Sequence, residues 1–287
     1  MLNHDVVIIG SGIAGMTAGI YLKRNNVDVL IIENEAPGGQ LNRSNIIENY
    51  PGYVSIDGPN LAYNIYNQVT KLEVNYLFDD ITNIDFDNNI IKTSNKEIKY
   101  KYLIIATGRS PKKLDILNSY EGNGVSYCAI CDGNLYKNKD VLVVGGGNSA
   151  FEEAIYLSNI CKSVTIMHRN NNLRADTHEI EKVNNANNIK VILNEEINEI
   201  SEEDDKFVIN NKYKVDGIFV CIGYIPNSNL FNLNKENDYL LVDNHYKTNV
   251  DNVYAVGDII KKEVYQLTTA TNDATIASID IIKRINN

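Results

Sequence analysis

Apolar runs of strand length alternate with amphipathic stretches along the chain. "DVVIIG" (5–10) predicts a buried strand, "IAGMTAGIYLKRN" (13–25) a helix, and "DVLIIE" (28–33) a second strand. The same order returns in "DVLVVG" (140–145), "NSAFEEAIYLSNI" (148–160) and "SVTIMH" (163–168). Further strand-length runs stand at 102–107, 217–223 and 252–258. Two strand–helix–strand units so far apart predict an α/β chain with two doubly wound (Rossmann-like) domains, and too few copies for a solenoid. Polar stretches near 109–120 and 241–250 read as crossings between the domains.

Composition narrows the class. The chain has 287 residues, enough for two domains of about 100–150 residues each. A formal net charge of −10 disfavours nucleic acid and anionic membrane as partners, since both need basic surface. No apolar run approaches the ~20 residues that span a bilayer. A strand beginning at Asp5 leaves no room for a leader, and four cysteines without one predict a reducing, cytoplasmic setting. Asparagine runs such as "NNANN" read as solvated loops.

Candidate chemistry begins at two glycine loops. Residues 10–15 read Gly-Ser-Gly-Ile-Ala-Gly, after a strand and at the start of a helix. Gly10 suits a tight turn, Gly12 lets backbone approach a pyrophosphate, and Gly15 lets helix and strand pack closely. The helix N-terminus then offers N–H groups to phosphate, and Glu33 can accept from ribose hydroxyls. This predicts FAD or NAD. Residues 145–150 read Gly-Gly-Gly-Asn-Ser-Ala in the same context, but the following strand ends in His168-Arg169 rather than an acid. A cation there attracts a 2′-phosphate, which predicts NADP. Two dinucleotides in one chain imply a flavoprotein that takes electrons from a nicotinamide.

The third motif is "CAICDG" (128–133). A zinc site needs about four ligands. Cys161 and Cys221 stand singly, and none of the four histidines is spaced to complete one, so no metal is expected. A dithiol–disulfide couple at Cys128 and Cys131 is favoured over two inert buried thiols. Asp132 beside the pair suits proton exchange with a thiol, or a turn formed with Gly133.

Eight signatures in order carry a resemblance: "GSGIAG" (10–15), "GGQL" (38–41), "ENYPG" (48–52), "ATGRSP" (106–111), "CAICDG" (128–133), "GGGNSA" (145–150), "IGYIPN" (222–227) and "VYAVGD" (253–258). Over essentially its whole length the chain resembles the low-molecular-weight, bacterial-type thioredoxin reductases, flavin-dependent disulfide reductases. The resemblance implies a second domain (113–243) inserted into a FAD-binding domain made of 1–112 and 244–287. It implies FAD contacts from Gly10, Gly12, Ala14, Gly15, Glu33, Gly39, Gln40, Leu41, Asn49, Thr107, Gly108, Gly257, Asp258 and Gln266. It implies NADPH contacts from Gly147, Asn148, Ser149, Glu152, His168, Arg169 and Arg174. Cys131 would face the flavin, Cys128 would exchange with thioredoxin or a thioredoxin-like protein, and Asp132 would serve as the acid–base group. A homodimer and a domain rotation about the crossings are also implied.

Two departures from the family pattern matter. The 2′-phosphate motif retains Arg169 and Arg174 but has Asn170 where a second arginine is usual. Near the flavin, Tyr265-Gln266 replaces Arg-Gln, and Asn272 and Ala274 stand at expected glycines. NADH or ferredoxin is therefore an alternative donor to NADPH. A dithiol oxidase using oxygen is a further alternative, disfavoured by the near-complete second glycine loop.

Overall fold

The apolar run that opens the chain becomes the central strand of a largely parallel sheet. The computed structural model describes residues 1–44 and 47–286. Strand Leu2–Ile9 pairs with Val29–Glu33 on one side (Val6 opposite Val29) and with Glu97–Ile105 on the other (Ile9 opposite Ile105). Asn75–Phe78 extends the first side. Val253–Ala255 joins the second half of Glu97–Ile105 in parallel, while the hairpin Ile81–Asp85 and Ile90–Thr93 pairs antiparallel with its first half.

Both faces of this sheet are buried, which explains its unbroken apolar strands. Val6, Ile8, Val29, Ile31 and Ile104 pack against Met16, Leu61, Val69, Ala274 and Ile281 of the covering helices Ile13–Lys23, Gly58–Lys71 and Leu267–Asn286. Asp57 caps the second of these by accepting from the Asn60 N–H at 2.9 Å, with Pro59 in its first turn. Val7, Ile9, Leu30, Ile32 and Ile105 face the other way, onto Phe231, Leu233, Leu240 and Ile260.

That second layer corrects a boundary. The chain divides into one unit of residues 1–110 with 225–287 and another of 111–224. The second crossing was expected near 243/244 and falls instead at 224/225. Phe231, Leu233 and Leu240 sit in a polar stretch with no clear period, yet they close the far side of the first sheet.

In the second unit five parallel strands lie in the order Ile189–Leu193, Ser163–His168, Asp140–Val144, Gly217–Val220, Val125–Ser126. Phe151, Ala154 and Leu157 of helix Asn148–Ser158 pack on one face, against Val143, Ile166 and Phe219. Leu142, Val144 and Met167 face Phe207 and Ile209 of a three-stranded antiparallel sheet at 200–215. In both units a long crossover returns the chain to the open side of the strand that leads into the glycine loop, Leu2–Ile9 in the first and Asp140–Val144 in the second. Ligands of such sheets bind beyond the carboxyl ends of the strands where the order reverses, and each glycine loop begins there. Among the described residues no helix is long and apolar enough to cross a membrane.

Candidate active site

In the first unit the glycines divide their work as physics requires. Gly10 has φ +98°, and a Cβ there would lie 2.6 Å from the Ala106 carbonyl oxygen. A Cβ on Gly15 would lie 1.9 Å from the Gly10 carbonyl oxygen, so only glycine lets the helix seat on the strand. Gly12 is different: its backbone is extended, and a Cβ would meet nothing within 4 Å. Gly12 also begins the helix without a side-chain cap, which leaves N–H groups to a ligand. Glu33 accepts from the Ser11 N–H at 2.7 Å and from the Asn34 and Glu35 N–H groups at 2.8 and 3.1 Å. The carboxylate thus shapes the loop. Open space at Gly12 beside an acid and uncapped amides fits the diphosphate and ribose of FAD.

The fold gathers the remaining first-unit residues from distant positions. Gly38 donates to the Ser11 carbonyl at 2.8 Å, and Gly39 (φ +54°) abuts Gly12. Leu41 is buried in the core, whereas the exposed Gln40 amide donates to the Arg109 carbonyl at 3.0 Å. The Asn49 amide donates to the Gln266 amide oxygen at 3.3 Å across 217 positions. Thr107 and Gly108 are held by Asn227, whose amide donates to the Thr107 carbonyl and whose N–H donates to the Gly108 carbonyl. Ala14 lies beneath Gly257 (φ +78°), where a Cβ would come within 2.9 Å of its own. Asp258 lies 3.5 Å from the Arg109 guanidinium and 3.4 Å from the Lys262 ammonium.

Arg109 escaped the sequence reading although it lies inside the quoted "ATGRSP". Its guanidinium stacks 3.7 Å over the Tyr265 ring. A cation thus reaches position 265 from another segment, where the motif departs from Arg-Gln. Lys262 also pairs with the buried Asp273 at 2.8 Å, which in turn accepts from the Gly257 N–H.

In the second unit Cys128 and Cys131 form a disulfide with a Cα–Cα distance of 5.3 Å. Edge strand Val125–Ser126 delivers the chain to this turn, and helix Ala129–Asp132 carries it. The buried Ser126 hydroxyl, another missed residue, accepts from the Cys128 N–H at 3.1 Å. It donates to the Asp132 carboxylate at 2.6 Å, a shorter contact than its 3.4 Å to the Cys128 carbonyl. Asp132 is itself buried, and this bond helps hold its carboxylate in place. Glu153 accepts from the Ala129 N–H at 3.1 Å and from the Cys221 thiol at 2.9 Å. Burial, and then the Glu153 charge, push the Cys221 thiol well up. Burial alone pushes Cys161 up to about 11. Among the described residues no three His, Cys, Asp or Glu side chains are grouped as metal ligands.

The second glycine loop repeats the first. A Cβ on Gly145 would lie 2.3 Å from the Cys221 carbonyl oxygen, whereas Gly147 opens on space and begins its helix without a side-chain cap. Asn148 and Asp176 exchange hydrogen bonds at 2.7 and 2.8 Å, and the Arg174 N–H donates to the Gly146 carbonyl at 2.7 Å. These contacts fold the 174–176 segment over the loop. Ser149, Glu152, Arg169 and Arg174 are exposed. Among the described residues neither arginine enters an ion pair. His168 instead lies buried under Gly146, with Nε2 3.2 Å from the Asn172 carbonyl, and supports the loop from beneath.

Two open glycine loops at uncapped helix starts and the Cys128–Cys131 disulfide are the features of a flavin-dependent disulfide oxidoreductase. The profile of the pyridine nucleotide-disulphide oxidoreductase family matches residues 4–274, and the chain belongs to that family. Within it the chain is a low-molecular-weight thioredoxin reductase, a type that uses FAD and NADPH. It is 37% identical to the thioredoxin reductase of Bacillus subtilis, with 96% of this chain and 92% of that one aligned. It is 39% identical to that of Ureaplasma parvum, with 96% and 95% aligned. The thioredoxin reductase of Streptococcus pyogenes superposes with a TM-score of 0.89 at 34% identity, over 99% of this chain and 98% of that one.

Proposed function

We propose that Cys128–Cys131 is the couple through which this thioredoxin-disulfide reductase works, with Asp132 handling its protons. The carrying observation is the buried chain Cys128 N–H, Ser126 hydroxyl, Asp132 carboxylate, which fixes an ionisable group beside the disulfide. When bound, FAD supplies the relay between NADPH, a two-electron hydride donor, and this disulfide. Gly10, Gly12, Ala14, Gly15 and Glu33 hold its adenosine diphosphate half. Gly39, Gln40, Leu41, Asn49, Thr107, Gly108, Gly257, Asp258 and Gln266 hold its flavin half. Gly147, Asn148, Ser149 and Glu152 line the NADPH site, with Arg169 and Arg174 on the 2′-phosphate.

Two electrons and two protons open the Cys128–Cys131 bond. Asp132 passes a proton to the departing sulfur and takes one from the attacking thiol. The Cys128 sulfur attacks a disulfide of thioredoxin and forms a mixed disulfide. The Cys131 sulfur displaces it, releasing reduced thioredoxin and restoring the intramolecular bond. The reading includes a homodimer and a cytoplasmic setting.

Asn170 and a cavity of about 650 Å³ weaken the phosphate site, because Arg169 lines that cavity beside Glu195, Glu196 and Glu199. The donor is therefore the step to measure. Anaerobic mixing of the FAD-loaded protein with NADPH is expected to bleach flavin absorbance faster than NADH or reduced ferredoxin does. Faster bleaching by ferredoxin refutes the donor. Full thioredoxin reduction by Cys128→Ser or Cys131→Ser refutes the couple.

A further inference from the structure

Glu153 stands between two sites. It lies on the helix that starts at the second glycine loop, one turn beyond Ser149. Its carboxylate accepts from the first N–H of the redox turn, at Ala129, between Cys128 and Cys131. The same oxygen accepts from the Cys221 thiol, just past strand Gly217–Val220. Three elements thus converge on one half-buried oxygen, and none of these contacts belongs to the electron path. A carboxylate spent only on tying elements together is replaceable by any acceptor. A carboxylate beside a sulfur couple does more: at a pH where the dithiol is partly ionised, its negative charge disfavours the thiolate and with it the reduced state.

We propose that Glu153 is a positioning residue that sets the disulfide–dithiol equilibrium of Cys128–Cys131. It holds the redox turn by the Ala129 N–H, and its charge makes the pair more reducing than a neutral group there would. Cys221 holds the carboxylate in place through its S–H. The high thiol pKa of Cys221 keeps that donor protonated at neutral pH. Other titratable groups near the turn are Asp132 on the turn itself, Tyr136 just after it, whose phenol is pushed up by burial and then by Asp132, Tyr156 against Gly133, and Tyr224, whose hydroxyl donates to the Tyr127 carbonyl at 2.8 Å. All of these are unchanged in the variants below.

The inference rests on Cys128–Cys131 being the redox couple, and the test separates the two. The FAD-loaded protein is equilibrated anaerobically against graded reduced and oxidised dithiothreitol at pH 8. Alkylation then counts the free sulfurs at 128 and 131 by mass. Glu153→Gln is isosteric and keeps an oxygen acceptor for both donors at a half-buried site, so the fold is retained. It is expected to shift the equilibrium about tenfold toward the dithiol, a potential less negative by about 30 mV. Glu153→Asp, which keeps the charge, is expected to stay within about threefold of the parent, as charge rather than reach sets the potential. A parental equilibrium in Glu153→Gln overturns the proposal, as does an equal shift in both variants. A parent protein whose two sulfurs never change together overturns instead the assignment of the couple.

Discussion

Gly12 and Gly15 stand three residues apart in one motif, yet the structure gives them opposite tasks, and two alanine substitutions separate these. At Gly12 the backbone is extended (φ −72°, ψ −177°), a conformation any residue adopts, and a Cβ meets no protein atom within 4 Å. Without FAD, Gly12→Ala is therefore expected to be neutral or stabilising by about 0.4–1 kcal/mol, through the lower entropy of the unfolded chain. For a chain of this size that raises Tm by roughly 1–4 °C. In the proposed FAD site the added methyl would take up space needed by the diphosphate. Losing one close contact to a charged phosphate costs about 1.5–3 kcal/mol, or roughly ten- to 150-fold in FAD affinity. At Gly15 the methyl would stand 1.9 Å from the Gly10 carbonyl oxygen, so the strand and helix must move apart. Such overpacking costs about 1–3 kcal/mol or more, before any ligand is present. Circular dichroism melts of the FAD-free proteins and fluorescence titrations with FAD read the two effects independently. The reasoning is refuted if FAD-free Gly12→Ala melts well below the parent or binds FAD normally, or if Gly15→Ala melts with the parent.

Three further outcomes follow from named contacts. Ser126→Ala removes the hydroxyl that donates to Asp132 at 2.6 Å. A hydrogen bond to a charged group is worth about 1.5–3 kcal/mol, so kcat for thioredoxin should fall ten- to hundredfold with KM unchanged, and Ser126→Thr should restore much of it. Asn170→Arg adds a cation beside Arg169 and should lower KM for NADPH about tenfold while leaving KM for NADH in place, as measured by initial rates. Tyr254→Phe removes the hydroxyl that donates to Asp280 at 2.6 Å, where Arg284 also donates at 2.7 Å. Burial would raise the Asp280 carboxyl, but these two donors outweigh it and hold its pKa below the usual range. A lowered carboxylate pKa contributes stability above the unfolded value of about 3.9 and loses it as pH falls through the folded value. The variant should thus be about 1.5–3 kcal/mol less stable at pH 7, with the gap narrowing in acid, as read by urea unfolding from pH 7 to pH 3.

Local pattern determined much of this protein. The glycine spacing with its flanking apolar runs placed both strand–turn–helix loops, because a turn, a close approach and a helix start are all short-range demands on the backbone. The CxxC spacing placed the sulfurs, because a three-residue separation closes a disulfide within one turn of helix. Tertiary structure decided which side chains surround these anchors. Phe231, Leu233 and Leu240 join the first unit because an open sheet face needed covering, and no periodicity announced it. His168 turned inward because Gly146 leaves room for its ring, and the arginines beside it stayed in solvent. Arg109 over Tyr265, Asn227 against Thr107, and Glu153 under Ala129 unite residues between 24 and 156 positions apart. Such pairs depend on how sheets and helices stack, and a charge, an amide or a hydroxyl carries no mark in the chain of the partner that packing will bring to it.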